Sequence, residues 1–265
     1  MEIGEVRVAE DADFRKLKTM CDDHSDWKLE INKQSTTVWT KTNDVSNFKM
    51  VKVRTIFDDI DAATLYDVLH DPLYRKTWDQ TMLEGYEICV INPFNDIGYY
   101  AIRCPPPVRN RDFVTQRSWL DTGTELYIFN HSVNHEKCPP RKGFIRGISY
   151  FTGYMIRKLD NDRCQLTYIS QSDPKGKLPS WAVNKLTHML APKVVSRIYK
   201  ACKKYKDWKS KNNPHFKPWL NAEQMMSNLP RLDPAAIKPI NAGISQESLD
   251  EEEDINEEDI RMEDF

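Results

Sequence analysis

Few residues in the sequence stand at spacings that could support catalysis. His131, His135 and Cys138 are four and three residues apart, which suits metal ligands on a helix, but they follow a segment with the alternation of a strand. A closed zinc site also needs a fourth ligand, so we predict no metal site. The chain has only nine glycines and no G-x-S-x-G, P-loop or G-x-G-x-x-G motif. We therefore predict a protein that is not an enzyme, with no catalytic residues and no cofactor.

Two further places in the sequence carry residues that could have a chemical role. Arg75 and Asp79 are four residues apart, the spacing at which side chains on a helix form an ion pair, and the residues alone favour a structural pair. Ser248 precedes Asp250 and Glu251, and more acids follow through Asp254. This pattern resembles the site preferred by casein kinase II, so we predict phosphorylation at Ser248 and a kinase of that type as a partner.

Hydrophobic periodicity predicts the elements that must position these residues. A short helix is indicated for residues 11–23, followed by three strands between residues 27 and 57 and a helix from residue 61 to near Pro72. Six more strands are indicated at 86–91, 97–103, 113–120, 126–133, 144–159 and 164–170. Because the strands cluster and helices flank them, we predict an α+β fold with an antiparallel sheet.

A long amphipathic helix is predicted from Ser180 to Lys206, with Pro192 inside it as a source of a kink. Lys193 and Arg197 belong to its basic face, and Trp181 lies near its start. Such a helix suits a membrane surface better than nucleic acid. We therefore predict transient, peripheral contact with membranes and no nucleic-acid partner, although a basic nucleic-acid-binding module stays a remote alternative.

Charge divides the 265-residue chain unevenly. Residues 241–265 hold 11 acidic residues and one basic residue, which leaves residues 1–240 with 37 basic against 29 acidic residues. We predict an N-terminal extension at 1–10, one domain at 11–210, and a disordered tail at 211–265 that begins with prolines and ends with acids. The chain has no apolar run that could span a membrane, no signal peptide and only scattered cysteines, so we predict a cytoplasmic location.

Four segments carry a family resemblance. LYRKTWDQ (73–80), PPPVRNRDFV (105–114), GFIRGISYF (143–151) and LPSWAVN (178–184) resemble the START domain, and the phosphatidylcholine transfer group within it. The resemblance covers about residues 11–206. It implies a helix-grip fold, in which a curved antiparallel sheet wraps around a long C-terminal helix and encloses a hydrophobic lipid tunnel.

The resemblance also implies roles for individual residues. In phosphatidylcholine-binding relatives, positions that match Arg75 and Asp79 lie at the buried headgroup, and an aromatic cage for the quaternary ammonium matches Tyr100, Phe113 and Tyr150. The relatives carry Trp in place of Tyr100 and Tyr in place of Phe113. The cage is therefore expected to bind a quaternary ammonium less strongly here. We accordingly predict that phosphatidylethanolamine can bind in addition to phosphatidylcholine.

These implications define the expected function. The chain is predicted to be a monomer that binds one phosphatidylcholine or phosphatidylethanolamine molecule and shuttles it between membranes. The alternative is a lipid-gated adaptor or sensor with the same fold. The membrane gate is expected at the helix Ser180 to Lys206 and the loop Pro105 to Arg111, with Trp181, Lys193, Arg197 and Pro107 as its residues.

Overall fold

A computed structural model describes residues 1–33, 35–104, 106, 108–177 and 180–240, and within 180–192 it describes the helical backbone alone. Across these ranges the chain forms one large sheet with helices on both faces. No helix within this part of the chain combines the length and apolar character needed to cross a bilayer.

The strands of the described residues are β1 Lys28–Lys33, β2 Thr36–Asn43, β3 Ser46–Phe57, β4 Met82–Asn92, β5 Asn95–Ile102, β6 Asn110–Asp121, β7 Glu125–Ser132, β8 Asn134–His135, β9 Phe144–Arg146, β10 Ile148–Lys158, β11 Cys164–Asp173 and β12 Ile237–Lys238. Ten of them form one sheet, in which nine lie side by side in antiparallel order β1-β2-β3-β11-β10-β7-β6-β5-β4, while β9 pairs with β6 in parallel. A separate two-stranded ladder joins β8 and β12.

Five α-helices accompany the strands in the described ranges: α1 Asp11–Asp22, α2 Ala62–His70, α3 Pro72–Trp78, α4 Ser180–Lys211 and α5 Ala222–Met226. The order of helices and strands agrees with the α+β prediction. The helix α4 passes through Pro192 and extends five residues beyond the predicted end at Lys206. The added turn and a half carries Lys209, whose ammonium group lies 2.8 Å from the buried Asp71 carboxylate.

The helix α3 is absent from the sequence prediction, which treats the residues after Pro72 as irregular. Asp71 ends α2 and also caps α3, because its carboxylate accepts hydrogen bonds from the backbone N–H groups of Leu73 and Tyr74. Pro72 occupies the first turn of α3, where a missing N–H costs nothing. The same proline therefore stops one helix and starts the next.

The two faces of the sheet pack against different helices because side chains along a strand alternate in direction. Ile128 on β7 belongs to a core with Ile198 of α4, and this side is called the inner face. Its neighbour Phe129 packs edge-on against Phe14 of α1 on the outer face, with ring centroids 5.2 Å apart. The sheet is thus the middle layer of three.

Helix contacts show that the sheet curves. The helix α4 packs against β2 and β3, and α3 packs against both α4 and β4 at the far edge. Seven strand spacings separate β2 from β4, about 34 Å in a flat sheet, whereas two packed helices cover only about 20 Å. The sheet must therefore wrap around these helices. This is the predicted helix-grip arrangement, which is confirmed.

One predicted strand, 144–159, is two strands in the structure. The break falls at Gly147, whose backbone N–H donates to the Asp112 carbonyl. A Cβ at Gly147 would lie 2.4 Å from the Phe113 ring, so any other residue there would require that ring to move. The preceding residues pair with β6 and the following ones with β7 and β11.

Residues 212–240, the C-terminal strap, lie against the domain, where the sequence predicts a disordered tail from residue 211. Trp219 is 5% exposed and donates its indole N–H to Asp67, which also pairs with Lys217 at 2.6 Å. Further along, Arg231 forms a bridge with Val90 on β4. The sequence does not predict these contacts, because the five prolines of this segment interrupt any helical or strand periodicity. Residues 241–265 lie outside the described residues.

Candidate functional site

The site is built on α3, the residues just after it and the strand β5. Asp79 terminates α3, where its backbone N–H donates to the Arg75 carbonyl at 2.9 Å. The Arg75 Nε lies 3.1 Å from Asp79 Oδ2, so the predicted pair forms over one helical turn. The Tyr100 hydroxyl on β5 donates to the same carboxylate oxygen at 2.7 Å, and the Thr81 hydroxyl donates to the other oxygen at 2.7 Å.

These contacts keep both charges on the pair. Burial alone would raise the pKa of Asp79, but the Arg75 charge and the hydrogen bonds from Tyr100 and Thr81 outweigh it and hold the pKa below its usual range. Burial would lower the pKa of Arg75, and the nearby oxygens of Tyr100, Tyr154 and Asp79 outweigh that effect and raise it. The site therefore presents an ionised guanidinium with a matched carboxylate.

Aromatic rings surround the guanidinium. The Arg75 Cζ lies 5.2 Å from the Tyr100 ring centroid and 5.5 Å from the Trp78 ring centroid. Tyr154 on β10 faces Arg75 as well, and its ring lies 5.0 Å from that of Tyr168 on β11. The sequence prediction missed Tyr154 and Tyr168. The sequence shows only that each tyrosine occupies an alternating position in its strand. That they lie side by side follows from the β10–β11 register, which pairs Tyr154 with Tyr168.

Arg75 faces an internal cavity. The residue lies deep in the protein, which is why burial opposes its charge, yet 30% of its side-chain surface is uncovered. Tyr100, Tyr154 and Tyr168 combine deep burial and partial exposure in the same way. Surface that is uncovered but far from the outside must border an enclosed space. The inner face and its helices therefore enclose a space with a charged, aromatic wall.

A second charged group lies on the inner face of β4, β5 and β6. The Arg117 guanidinium forms two hydrogen bonds with Asp96, at 3.1 and 2.5 Å, and lies 3.7 Å from Glu87. Its charge and that of Arg75 repel each other, so the two guanidiniums share one region of the interior. These three residues come from three consecutive strands, and the sequence prediction missed them all.

The predicted aromatic cage is only partly assembled. Phe113 stands directly opposite Tyr100 in the β5–β6 register and is half-buried. Tyr150 is the extra residue of a β-bulge between Ser149 and Phe151. Among the residues described, Tyr150 makes no hydrogen bond or ring contact with Arg75, Asp79 or Tyr100.

The structure describes the side chains of two of the four predicted gate residues. Lys193 is exposed and Arg197 is half-buried, both on α4. The Trp181 side chain, Pro107 and Ser248 lie outside the described residues. The C-terminal half of α4 is anchored, because the Tyr74 hydroxyl donates to the Ala201 carbonyl at 2.7 Å and Tyr205 and Lys209 both bond to Asp71.

A curved antiparallel sheet that grips a C-terminal helix and encloses a charged, aromatic-walled cavity defines a helix-grip protein with an internal binding site. Comparison with known families agrees with this class, since the START domain model matches residues 7–207. The chain belongs to the START domain family.

Individual relatives support the same assignment. The chain is 44% identical to START domain-containing protein 10 of Mus musculus over 247 residues. This match covers 93% of the chain and 84% of the relative. The chain is 29% identical over 185 residues to the phosphatidylcholine transfer protein of Bos taurus, covering 68% and 85%. The crystal structure of human STARD10 superimposes with a TM-score of 0.85 at 43% identity, covering 89% of this chain and 96% of that one.

Proposed function

We propose that this protein is a carrier that binds one phosphatidylcholine or phosphatidylethanolamine molecule in its internal cavity and moves it between membranes. Arg75 carries this proposal, because a buried guanidinium that faces an enclosed space is suited to a phosphate group. Neither START domain-containing protein 10 nor phosphatidylcholine transfer protein bears the name of an enzyme. A binding role needs no cofactor beyond the lipid cargo.

The charges of the site fit a zwitterionic lipid. Asp79 neutralises Arg75 while the cavity is empty, so the buried arginine is tolerated. A phosphate adds a second partner for the guanidinium, and the headgroup ammonium restores neutrality among the aromatic rings of Tyr100 and its neighbours. The whole lipid therefore enters without adding net charge to the interior.

The cavity replaces the bilayer as host for the acyl chains. Two chains of about 16 carbons, at about 0.8 kcal/mol per methylene, lose roughly 25 kcal/mol of burial if they enter water. Transfer through water is slow for that reason, and a closed carrier lowers the barrier. We extend the proposal to a cytoplasmic monomer that contacts membranes peripherally through α4. The acidic residues of 241–265 compete with an anionic membrane for the basic face of α4. Phosphorylation of Ser248 adds negative charge to this tail and strengthens that competition.

Arg75→Gln tests the headgroup role. We expect binding of both lipids to fall at least tenfold, since both share the phosphate that Arg75 contacts. Native mass spectrometry of the purified chain and lipid transfer between vesicles are the measurements. Arg75→Gln leaves Asp79 buried without its cation, so the double variant Arg75→Gln/Asp79→Asn is made as well to separate lost binding from lost stability.

The outcomes separate the competing functions. Arg163→Gln, which removes an exposed arginine paired with Asp58, is the control and keeps wild-type transfer. If the double variant folds and binds both lipids as well as the wild type, Arg75 has no headgroup role. A wild-type chain that retains no phospholipid and transfers none contradicts the carrier function. Binding without transfer favours the lipid-gated adaptor.

A further inference from the structure

Within the described residues, the two charged groups around Arg75 and Arg117 contain three carboxylates and two guanidiniums. Arg75 pairs with Asp79, and Arg117 pairs through two hydrogen bonds with Asp96. Glu87 is the remaining acid among the described residues of these two groups. At 3.7 Å its carboxylate is within ion-pair distance but beyond hydrogen-bond distance of Arg117, which already forms two hydrogen bonds with Asp96, and Lys76 is the other cation near it. Among the described residues, Glu87 therefore has cations nearby but no hydrogen-bonded cation of its own.

Glu87 is directed towards the same enclosed space as Arg75. It stands opposite Gly98 in the β4–β5 register, and Gly98 lies between Asp96 and Tyr100 on the inner face. Gly98 contributes no side chain to this part of the inner face. Glu87 retains 28% of its side-chain surface although it is deep in the protein, the same combination that Arg75 shows. Burial also raises its pKa, as expected for a carboxylate without a full partner.

We propose that Glu87 is the acceptor for the primary ammonium group of an aminophospholipid and so sets the preference for ethanolamine over choline lipids. This inference rests on the proposed carrier function. An –NH₃⁺ group donates up to three hydrogen bonds, and a carboxylate accepts them with favourable charge. A trimethylammonium group has the same charge but no N–H, so it gains less from Glu87 and depends on aromatic faces.

The arrangement also explains how one cavity accepts both lipids. Arg75 serves the phosphate common to the two, while Tyr100 offers a ring face and Glu87 offers an acceptor for the group that differs. Binding of an ammonium supplies the hydrogen-bonded cation that Glu87 lacks. The Glu87 carboxylate and the lipid ammonium then match each other, as Asp79 matches Arg75.

The test is a series of lipids that differ only in N-methylation: phosphatidylethanolamine, its monomethyl and dimethyl forms, and phosphatidylcholine. Affinities are measured by competition against one fluorescent phospholipid for the wild type, Glu87→Gln and Glu84→Gln. Glu84 lies three residues earlier on β4 and pairs with Arg141 at the surface, so it is the matched control.

We expect Glu87→Gln to weaken phosphatidylethanolamine binding about tenfold and phosphatidylcholine binding by less than about threefold, with the monomethyl and dimethyl lipids in between. Glu84→Gln keeps the wild-type ratios. Equal losses for all four lipids, or unchanged ratios in Glu87→Gln, overturn the ammonium role and leave Glu87 as a structural residue. A wild-type chain that binds none of the four contradicts the carrier function instead, so the two failures are distinguishable.

Discussion

At the scale of single residues, Asp79 is the point where the site is organised. Three donors converge on its carboxylate, from Arg75 in the preceding turn, Thr81 just beyond it and Tyr100 on the neighbouring strand. Each donor comes from a different element or position, so the carboxylate fixes α3 against β5. The same contacts aim the Arg75 guanidinium into the cavity.

Tyr100 has two separable roles, and two substitutions distinguish them. Tyr100→Phe removes the hydrogen bond to Asp79 but keeps the ring near Arg75, so we expect both lipids to bind two- to tenfold more weakly and by equal factors. Tyr100→Ala removes the ring as well, and we expect phosphatidylcholine to lose at least threefold more than phosphatidylethanolamine. Competition binding measures both ratios.

The control is Tyr86→Ala, because Tyr86 is exposed and lies on β4 away from Arg75. It should leave both affinities at the wild-type level. Equal losses of the two lipids in Tyr100→Ala contradict a cation–π role for this ring.

Part of this site was predictable from the sequence, and part of it was not. Arg75 and Asp79 are close in sequence, so their spacing and the family resemblance predicted the pair, and the resemblance added Tyr100. Glu87, Asp96 and Arg117 meet only because β4, β5 and β6 pair in one particular register. Nothing in a single strand's alternation fixes that register, so these residues could not be assembled beforehand.

At the scale of elements, Glu125 joins α1 to the sheet. Its carboxylate accepts hydrogen bonds from Lys18 on α1, from Tyr127 next to it on β7 and from Arg157 on β10. Burial would raise the pKa of Glu125, but these three donors outweigh it and lower the pKa to about 2. The outer helix is therefore held by charge as well as by its apolar face.

This junction predicts a pH dependence of stability. The folded pKa of Glu125 is depressed, so its contribution is fully present above about pH 4.5 and is lost as pH falls towards 2. At about 1.36 kcal/mol per pH unit, the change from 4.5 to about 2 corresponds to at most about 3.4 kcal/mol, which solvent screening reduces. Urea unfolding of the wild type and Glu125→Gln, followed from pH 6 to pH 2.5, measures it. We expect the difference between the two to shrink by most of this amount, and a constant difference contradicts the assignment.

The C-terminal strap makes a second prediction at this scale. Trp219 is buried in the core that contains α4 and bonds to Asp67, so Trp219→Ala removes a large side chain and one partner of a buried carboxylate. We expect a loss of about 3–5 kcal/mol in the free energy of unfolding, measured in urea. The neighbouring Leu220 is 53% exposed, and Leu220→Ala should cost less than about 0.5 kcal/mol. Similar values for the two variants contradict docking of the strap.

Elements with a strong period were predictable, and those defined by single contacts were not. The main strands and α4 follow periods of two and 3.6 residues, so the fold class was readable from the sequence. The helix α3 has seven residues and depends on the cap at Asp71, and the strap depends on anchors such as Trp219. Short segments held by one or two side chains give no periodic signal.

At the scale of the whole molecule, the basic residues of α4 fall into a paired and an unpaired set. On α4, Lys203 and Lys206 are paired with Asp59 and Asp61. Lys193 and Lys200 are exposed and, within the described residues, form no ion pair. Exposed lysines without an ion pair therefore lie on the part of α4 that holds the predicted gate residues Lys193 and Arg197.

We expect Lys193→Gln/Lys200→Gln to weaken association with vesicles of mixed anionic and zwitterionic lipid about thirtyfold at low salt, since each of the two basic residues near such a surface contributes about 1 kcal/mol. Arg15→Gln/Lys16→Gln is the matched control, with the same change in net charge on the exposed side of α1 across the sheet. Vesicle sedimentation measures both, and the effect should fade at high salt. Equal losses point to net charge rather than to the α4 face.

The strap that docks Trp219 has a further consequence where it reaches the last strand of the sheet. Val90 on β4 exchanges backbone hydrogen bonds with Pro230 and Leu232, which occupy the ladder positions that another chain could use. At the opposite edge β1 carries exposed Lys28 and Lys33, whose charges oppose strand addition. Both margins of a wide, open sheet are thus protected against edge-to-edge aggregation, one by its own backbone and one by charge.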